Sequence, residues 1–223
     1  MKLILSWLVT LLLPLALLFL GLRLLLTDAF LQIEYRMPGF PADQYGFTRQ
    51  DRLRYAPLAV DYLLNNAGID YLADQSFPDG SPLYNERELS HMQDVKRVMG
   101  GALAVGFASW FLLLAAAFWA RWGRWWPDYV RGVRRGGWLT VGLVATIGML
   151  AGIDFWRFFT DFHSLFFQGD SWEFFFSDTL IRLFPLRFWQ DAVFFMAGLA
   201  AAIGLALALT LRPDREAKSG SRG

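Results

Sequence analysis

The stretch NERELSHMQDVK, residues 85–96, decides how this chain is read. Asn85 with Glu88 three residues on has the spacing of a helix N-cap and its reciprocal partner, each side chain satisfying a backbone N–H of the other. A helix starting there runs on into the long apolar stretch that begins at Met99, so His91 sits a turn or two outside the lipid. The chain has one other histidine, His163, in DFHSLFFQGDSW at residues 161–172, and it too follows directly on an apolar run. Two imidazoles at the same membrane face are the main chemical signal.

The composition agrees with a membrane chain. Of 223 residues, 55% are hydrophobic and 17% aromatic, and four runs reach the roughly 20 residues needed to cross a hydrocarbon core. A net charge of +1 argues against a nucleic-acid partner, which requires a basic stripe. The absence of cysteine removes disulfides, thiolate metal ligands and a cysteine acyl-enzyme, and leaves the compartment open.

The predicted fold class is an all-α membrane protein, with four transmembrane helices and an extracytoplasmic, mainly helical cap. Residues 1–27 form the first transmembrane helix. Their apolar run is longer than that of a cleaved signal and lacks a small-x-small site, and Pro14 is tolerated in lipid. Arg23 near the outer end either snorkels to the headgroups or faces the site. Residues 28–98 form the cap, too small to hold a core of its own and so expected to lean on the membrane helices. Within it Thr48 caps a helix with Asp51 three residues on, Pro57 divides two helical stretches, Asn65, Asn66 and Gly68 mark a stop, and FPDGSP at 77–82 is a turn.

Residues 99–120 are the second transmembrane helix. The basic cytoplasmic loop at 121–137 follows, with Arg121, Arg124, Arg131, Arg134 and Arg135 against Asp128 alone. The third transmembrane helix is 138–159, the aromatic extracytoplasmic interfacial segment 160–191, the fourth helix 192–211 and the cytoplasmic tail 212–223. The tail adds Arg212, Arg215, Lys218 and Arg222. Basic residues near span ends mark the cytoplasm. The loop and tail outvote Lys96 and Arg97, so both termini are placed inside and both histidines outside. Small residues four apart, Ala102/Gly106, Gly148/Gly152 and Ala200/Gly204, suit close helix packing in lipid.

The segment after His163 crowds Phe166, Phe167, Trp172, Phe174, Phe175, Phe176, Phe184, Phe188 and Trp189 among Asp170, Glu173, Asp178, Arg182 and Arg187. Too interrupted to span, it reads as an interfacial aromatic belt or as a lateral portal admitting an acyl chain.

The histidines serve equally as general acid and base or as metal or haem ligands. A catalytic zinc needs a third protein ligand, which only carboxylates supply here. Glu88 and Asp94 flank His91 at i−3 and i+3, and Asp161 lies two before His163; each is a candidate to orient a ring. Ser90 and Ser164 adjoin the histidines in sequence, but adjacent helical residues point apart.

The core REL-x-HM-x-DV within residues 84–96 resembles the lipoprotein intramolecular transacylase family, small four-span bacterial integral membrane proteins with two motif histidines. So do DFHSLFF at 161–167 followed by Trp172, LIRLFP at 180–185, and Tyr45-Gly46 with the helix after it. The resemblance covers essentially the whole chain. It implies an acyltransferase that moves the sn-2 acyl chain of a lipoprotein's S-diacylglyceryl cysteine onto that cysteine's own amine, giving a lyso-form lipoprotein. It also implies that His91 and His163 are the catalytic pair, that diacylglyceryl-modified lipoproteins and membrane lipids are the partners, and that the protein lies in the bacterial cytoplasmic membrane with its active site extracytoplasmic.

The inventory suits that chemistry. An α-ammonium with pKa of roughly 8 loses a proton before attack, and the departing glycerol oxygen gains one. Tethering amine and ester in one molecule supplies proximity, so neither cofactor nor metal is called for. The oxyanion donor is left among Arg23, Arg157, Trp172 and backbone N–H groups. An ordinary histidine base predicts a falling rate below roughly pH 6. Two other classes remain: a bis-histidine haem membrane cytochrome, told apart by a Soret band, and a non-catalytic scaffold, whose removal leaves lipoprotein lipids unchanged.

Overall fold

The structure is a computed structural model and describes residues 1–167 and 169–211. Among them are nine helices and no β-strand, only an isolated bridge between Ser76 and Pro82. Four helices are long and apolar enough to cross a bilayer: α1 (Lys2–Leu25), α5 (Glu86–Trp122), α6 (Trp126–Ile153) and α9 (Leu186–Thr210). Between them lie α2 (Asp28–Glu34), α3 (Arg49–Leu64), α4 (Asp70–Ala73), α7 (Phe155–Phe166) and α8 (Thr179–Leu183).

At 37 residues, α5 is about 55 Å long, far beyond the roughly 30 Å of a hydrocarbon core. Its first turns therefore stand outside lipid. The helix begins where Asn85 and Glu88 predict: the Glu88 N–H donates to Asn85 Oδ1 at 3.0 Å and the Asn85 N–H to Glu88 Oε2 at 2.9 Å. Thr48 and Asp51 form the same reciprocal cap on α3, which ends at Leu64 beside Asn65.

Four expectations change. Pro57 does not divide two helices but sits inside α3. Its lost hydrogen bond costs about 3 kcal/mol, and burial of Tyr55, Ala56, Ala59, Val60 and Tyr62 along that helix offsets it. The basic stretch 121–137 is not a loop: α5 runs to Trp122 and α6 starts at Trp126, so all its arginines except Arg124 lie within helices, where arginine is a good helix former. The third apolar run stops at Ile153, because Asp154 turns out of the helix and caps α7 by accepting the Arg157 N–H at 3.0 Å. The fourth long helix starts earlier than residue 192, at Leu186 immediately after Pro185. The tail arginines and lysine at 212–223 lie outside the described residues.

Contacts divide the chain into two compact units. One comprises Met1–Leu20, Val105–Thr146 and the stretch beginning at Ala197. Its core is Val9, Leu13, Ala16, Leu17, Leu113, Val133, Val144 and Ala200. Here α6 approaches α9 so closely that a Cβ on Gly137 would stand 2.4 Å from the Gly204 carbonyl oxygen. Gly148 and Gly152, by contrast, face open space; spacing of small residues does not say which face meets a neighbour. Gly137→Leu should destabilise by roughly 1–3 kcal/mol through overpacking, while Gly142→Leu, with nothing within 4 Å of its Cβ position, should be nearly neutral. Thermal melts in detergent compare them, and equal midpoints would contradict the seam.

The other unit, Gly21–Ala104 with Ile147–Met196, holds the cap and both histidines. Its core gathers Leu31, Tyr35, Tyr55, Ala59, Leu72, Leu83, Met92, Leu183 and Phe188 among others. The short α8 is its tie-point. Tyr35 Oη donates to the Leu183 carbonyl (3.0 Å), Arg52 Nε to the Arg182 carbonyl (2.9 Å) and Thr179 Oγ1 to the Leu83 carbonyl (2.6 Å). Arg182 pairs with Asp43 at 3.1 Å and lies 3.5 Å over the Phe47 ring, which fixes the 43–47 turn.

Candidate active site

His91 projects from the second turn of α5 and His163 from α7. The face of α7 that carries His163 also carries Phe155 and Phe159, eight and four residues earlier, a spacing that stacks side chains along one helical stripe. Leu165, on the opposite face, is exposed, as are Trp156 and Phe166 toward the two ends of the helix, so α7 presents apolar surface outward while His163 is half-buried.

The two imidazole centroids are 6.3 Å apart with planes 21° from parallel. That is too far for a direct hydrogen bond between them and close enough for both to touch one reacting group. Aromatic rings enclose the pair. Phe167 lies 4.9 Å from His91 and 5.6 Å from His163; Phe174 is 5.3 Å from His91; Phe159 and Trp172 are 4.0 and 4.9 Å from His163. The 169–178 segment, which supplies Trp172 and Phe174, is tied to the start of α5: Arg87 Nη1 donates to the Glu173 carbonyl at 3.1 Å and Asn85 Nδ2 to Asp178 Oδ1 at 3.2 Å.

His163 Nδ1 lies 2.7 Å from the Phe159 carbonyl oxygen. A carbonyl only accepts, so Nδ1 carries the proton and Nε2 is left with the free lone pair. His91 is 7% exposed, and its Nδ1 is buried without a hydrogen-bond partner. Burial, reinforced by the neighbouring His163, pushes His91 down to about 4. Burial lowers His163 as well, against the opposing pull of the Phe159 carbonyl. Both rings are thus neutral near pH 7.

The other residues singled out in the sequence scatter. Glu88, 1% exposed, spends its carboxylate on the backbone: its Oε1 accepts the Leu180 N–H at 2.7 Å while Oε2 accepts that of Asn85. Burial pushes its carboxyl up to about 7, against these backbone donors. It straps α5 to α8 one turn before His91. Asp94 pairs with Arg97 and exerts only a minor field on His91. Asp161 and Arg157 pair with each other at 3.8 Å on the exposed side of α7, with side chains 72% and 80% exposed; at i−2 from His163, Asp161 points off its face. Arg23 Nη1 is buried on the last turn of α1 with no hydrogen-bond partner among the described residues, the histidines included. Trp172 is the one brought in: its Nε1–H is buried beside His163 with no hydrogen-bond partner among the described residues. Sequence reasoning missed the Phe159 carbonyl, whose only signal is its place four residues before His163, and Phe174 as a wall for His91.

The sequence pattern of the family described as "Lipoprotein intramolecular transacylase Lit" matches residues 7–189, which include both histidines. The chain belongs to this family. It is therefore a multi-pass membrane acyltransferase of the lipoprotein intramolecular transacylase type, which sets aside the cytochrome and scaffold readings. It is 26% identical over 216 residues, 94% of each chain, to an uncharacterised protein of Aquifex aeolicus (strain VF5). Its fold matches the membrane-integral lipoprotein intramolecular transacylase Lit of Bacillus cereus with a TM-score of 0.75 at 17% identity, covering 93% of this chain and 92% of that one. A mutant of the Bacillus cereus protein with a histidine changed to arginine matches with a TM-score of 0.62 at 15% identity, covering 93% and 88%.

Proposed function

We propose that this Lit-family protein moves the sn-2 acyl chain of a diacylglyceryl-cysteine lipoprotein onto the cysteine's α-amine, with His163 as proton shuttle and His91 as a neutral hydrogen-bonding partner. The observation carrying this reading is the neutral histidine pair 6.3 Å apart inside an aromatic wall. The attacking amine, in its free-base form, forms a C–N bond to the ester carbonyl carbon. His163 Nε2 takes the proton the nitrogen sheds and gives it to the glycerol oxygen as the C–O bond breaks. Atoms and protons balance, and no acyl-enzyme is needed because amine and ester are tethered in one substrate.

A ring pushed down to about 4 is a poor base but a sound neutral donor, so His91 suits the polarised carbonyl better than proton removal. The Trp172 Nε1–H, unpartnered and beside His163, supplies a second donor for the oxyanion. Closely packed aromatic rings keep bulk water away and admit acyl chains, while exposed Leu165, Phe166, Phe175 and Phe176 give those chains a path from the lipid.

The test is mass spectrometry of a lipoprotein N-terminus, with the protein present and with it deleted. The N-acylated, singly O-acylated form should appear only in its presence; a free amine with both ester chains intact in each case would refute the reading. Both termini and the turn after Trp122 are placed in the cytoplasm, and the histidine pair outside. In this cysteine-free chain, a single cysteine at Asp79 should label with an impermeant thiol reagent from outside and one at Arg124 should not. The reverse pattern would overturn the orientation.

A further inference from the structure

We propose that the turn between α5 and α6 is a binding site for the phosphate headgroup of anionic phospholipids. Among the described residues of its unit, the side chains of Lys2, Arg121, Arg124, Arg131, Arg134 and Arg135 are cationic and only Asp128 is acidic. Most of these cations are already engaged. Arg131 pairs with Asp128. Arg134 Nε donates to the Ala208 carbonyl at 3.1 Å, Arg135 to Ser6 Oγ at 2.7 Å, and Lys2 Nζ to the Arg124 carbonyl at 3.2 Å.

The guanidinium groups of Arg121 and Arg124 are different: both residues are exposed, and neither side chain has a protein partner among the described residues. They flank the turn from either side of Trp122. Arg124 holds a φ of 53°, a left-handed conformation uncommon outside glycine. Asp128, the carboxylate that could have neutralised them, is taken by Arg131, so the turn carries two uncompensated fork-shaped donors.

The surrounding surface names the partner. Trp119, Trp122 and Trp126 are 48%, 66% and 40% exposed, too much indole for a face meeting only water. Tryptophan collects where hydrocarbon meets headgroups, and guanidinium matches a phosphate bidentately. A soluble acidic protein would find the charge but leave the indoles unmatched; a phospholipid satisfies both, with its phosphate on the arginines and its glycerol and upper acyl carbons on the rings. The preference is for anionic lipid, because a zwitterionic headgroup brings its own cation to the same place.

The experiment offers the purified full-length protein equal amounts of phosphatidylglycerol and phosphatidylcholine and reads the ratio of bound lipids by native mass spectrometry. The wild type should retain phosphatidylglycerol in roughly 25-fold excess, about fivefold from each of the two arginines. R121Q should lower that preference about fivefold, and R121Q/R124Q further still, as expected for the contribution of single basic residues to anionic surfaces. R121K/R124K keeps the charge and should keep most of the preference. In the wild type, added salt should erode the ratio, a readout that needs no variant. A wild-type ratio near one, or an unchanged ratio in R121Q/R124Q, would overturn the proposal.

Discussion

His163→Gln should cost roughly 10²–10⁴-fold in transfer rate, the usual worth of a general acid–base group, while the protein still folds and inserts. Glutamine keeps hydrogen-bonding capacity but cannot carry a proton near neutral pH. The same change at His91 should cost less, because an amide N–H still donates to the carbonyl oxygen where a neutral imidazole did. His91→Ala, which removes the donor, should approach the roughly 10²–10³-fold of an oxyanion-hole loss. Both rings serve one step, so the double change His91→Gln/His163→Gln should resemble His163→Gln alone instead of multiplying the losses. A well-folded His163→Gln protein with near-normal turnover in reconstituted membranes would refute the shuttle.

The pH profile carries the same assignment. The substrate amine, with a pKa of roughly 8, alone gives a unit slope of log rate against pH below that value. A histidine base at the ordinary 6.5 would add a second bend there and steepen the slope to two. Burial lowers His163, and a lowered pKa keeps the ring neutral further into acid. The second bend should therefore lie below 6.5, under the acid limb that an unperturbed histidine predicts.

What the sequence made legible is what acts over short range or through composition. The Asn85–Glu88 and Thr48–Asp51 caps close within three residues, and four long apolar runs become helices because lipid leaves the backbone no other internal way to satisfy its polar groups. The approach of His91 to His163 was foreseeable only as a shared membrane face; the 6.3 Å spacing depends on straps between residues far apart in the chain. Glu88 is the clearest case. Its cap partner is three residues away, but its other oxygen takes the N–H of Leu180, and no local pattern announces that. Asp94, Asp161 and Arg157 show the converse. They stand near a histidine in sequence, yet the helical period carries Asp161 and Arg157 onto the exposed side of α7 and gives Asp94 to Arg97. Pro57 misleads in the same way, because a local penalty of a few kcal/mol is outweighed by burial that only the folded chain reveals.

Trp172→Phe should cost about 10²-fold in kcat with KM little changed, the signature of a donor that acts only on transition-state charge. The indole ring packs on His163 at 4.9 Å and meets Phe159 at 6.4 Å; phenylalanine keeps an aromatic ring against them and deletes the Nε1–H. A buried N–H with no protein acceptor costs free energy in the resting protein, and an oxyanion forming beside His163 would relieve that cost when negative charge appears. Trp172→Ala also removes packing and should lower the melting midpoint together with activity. Trp172→Phe separates the two effects: activity falls while stability, followed by thermal melting in the same detergent, changes little. If Trp172→Phe transfers acyl chains at the wild-type kcat, the indole is wall and not donor, and the oxyanion must rest on His91 and backbone N–H groups alone.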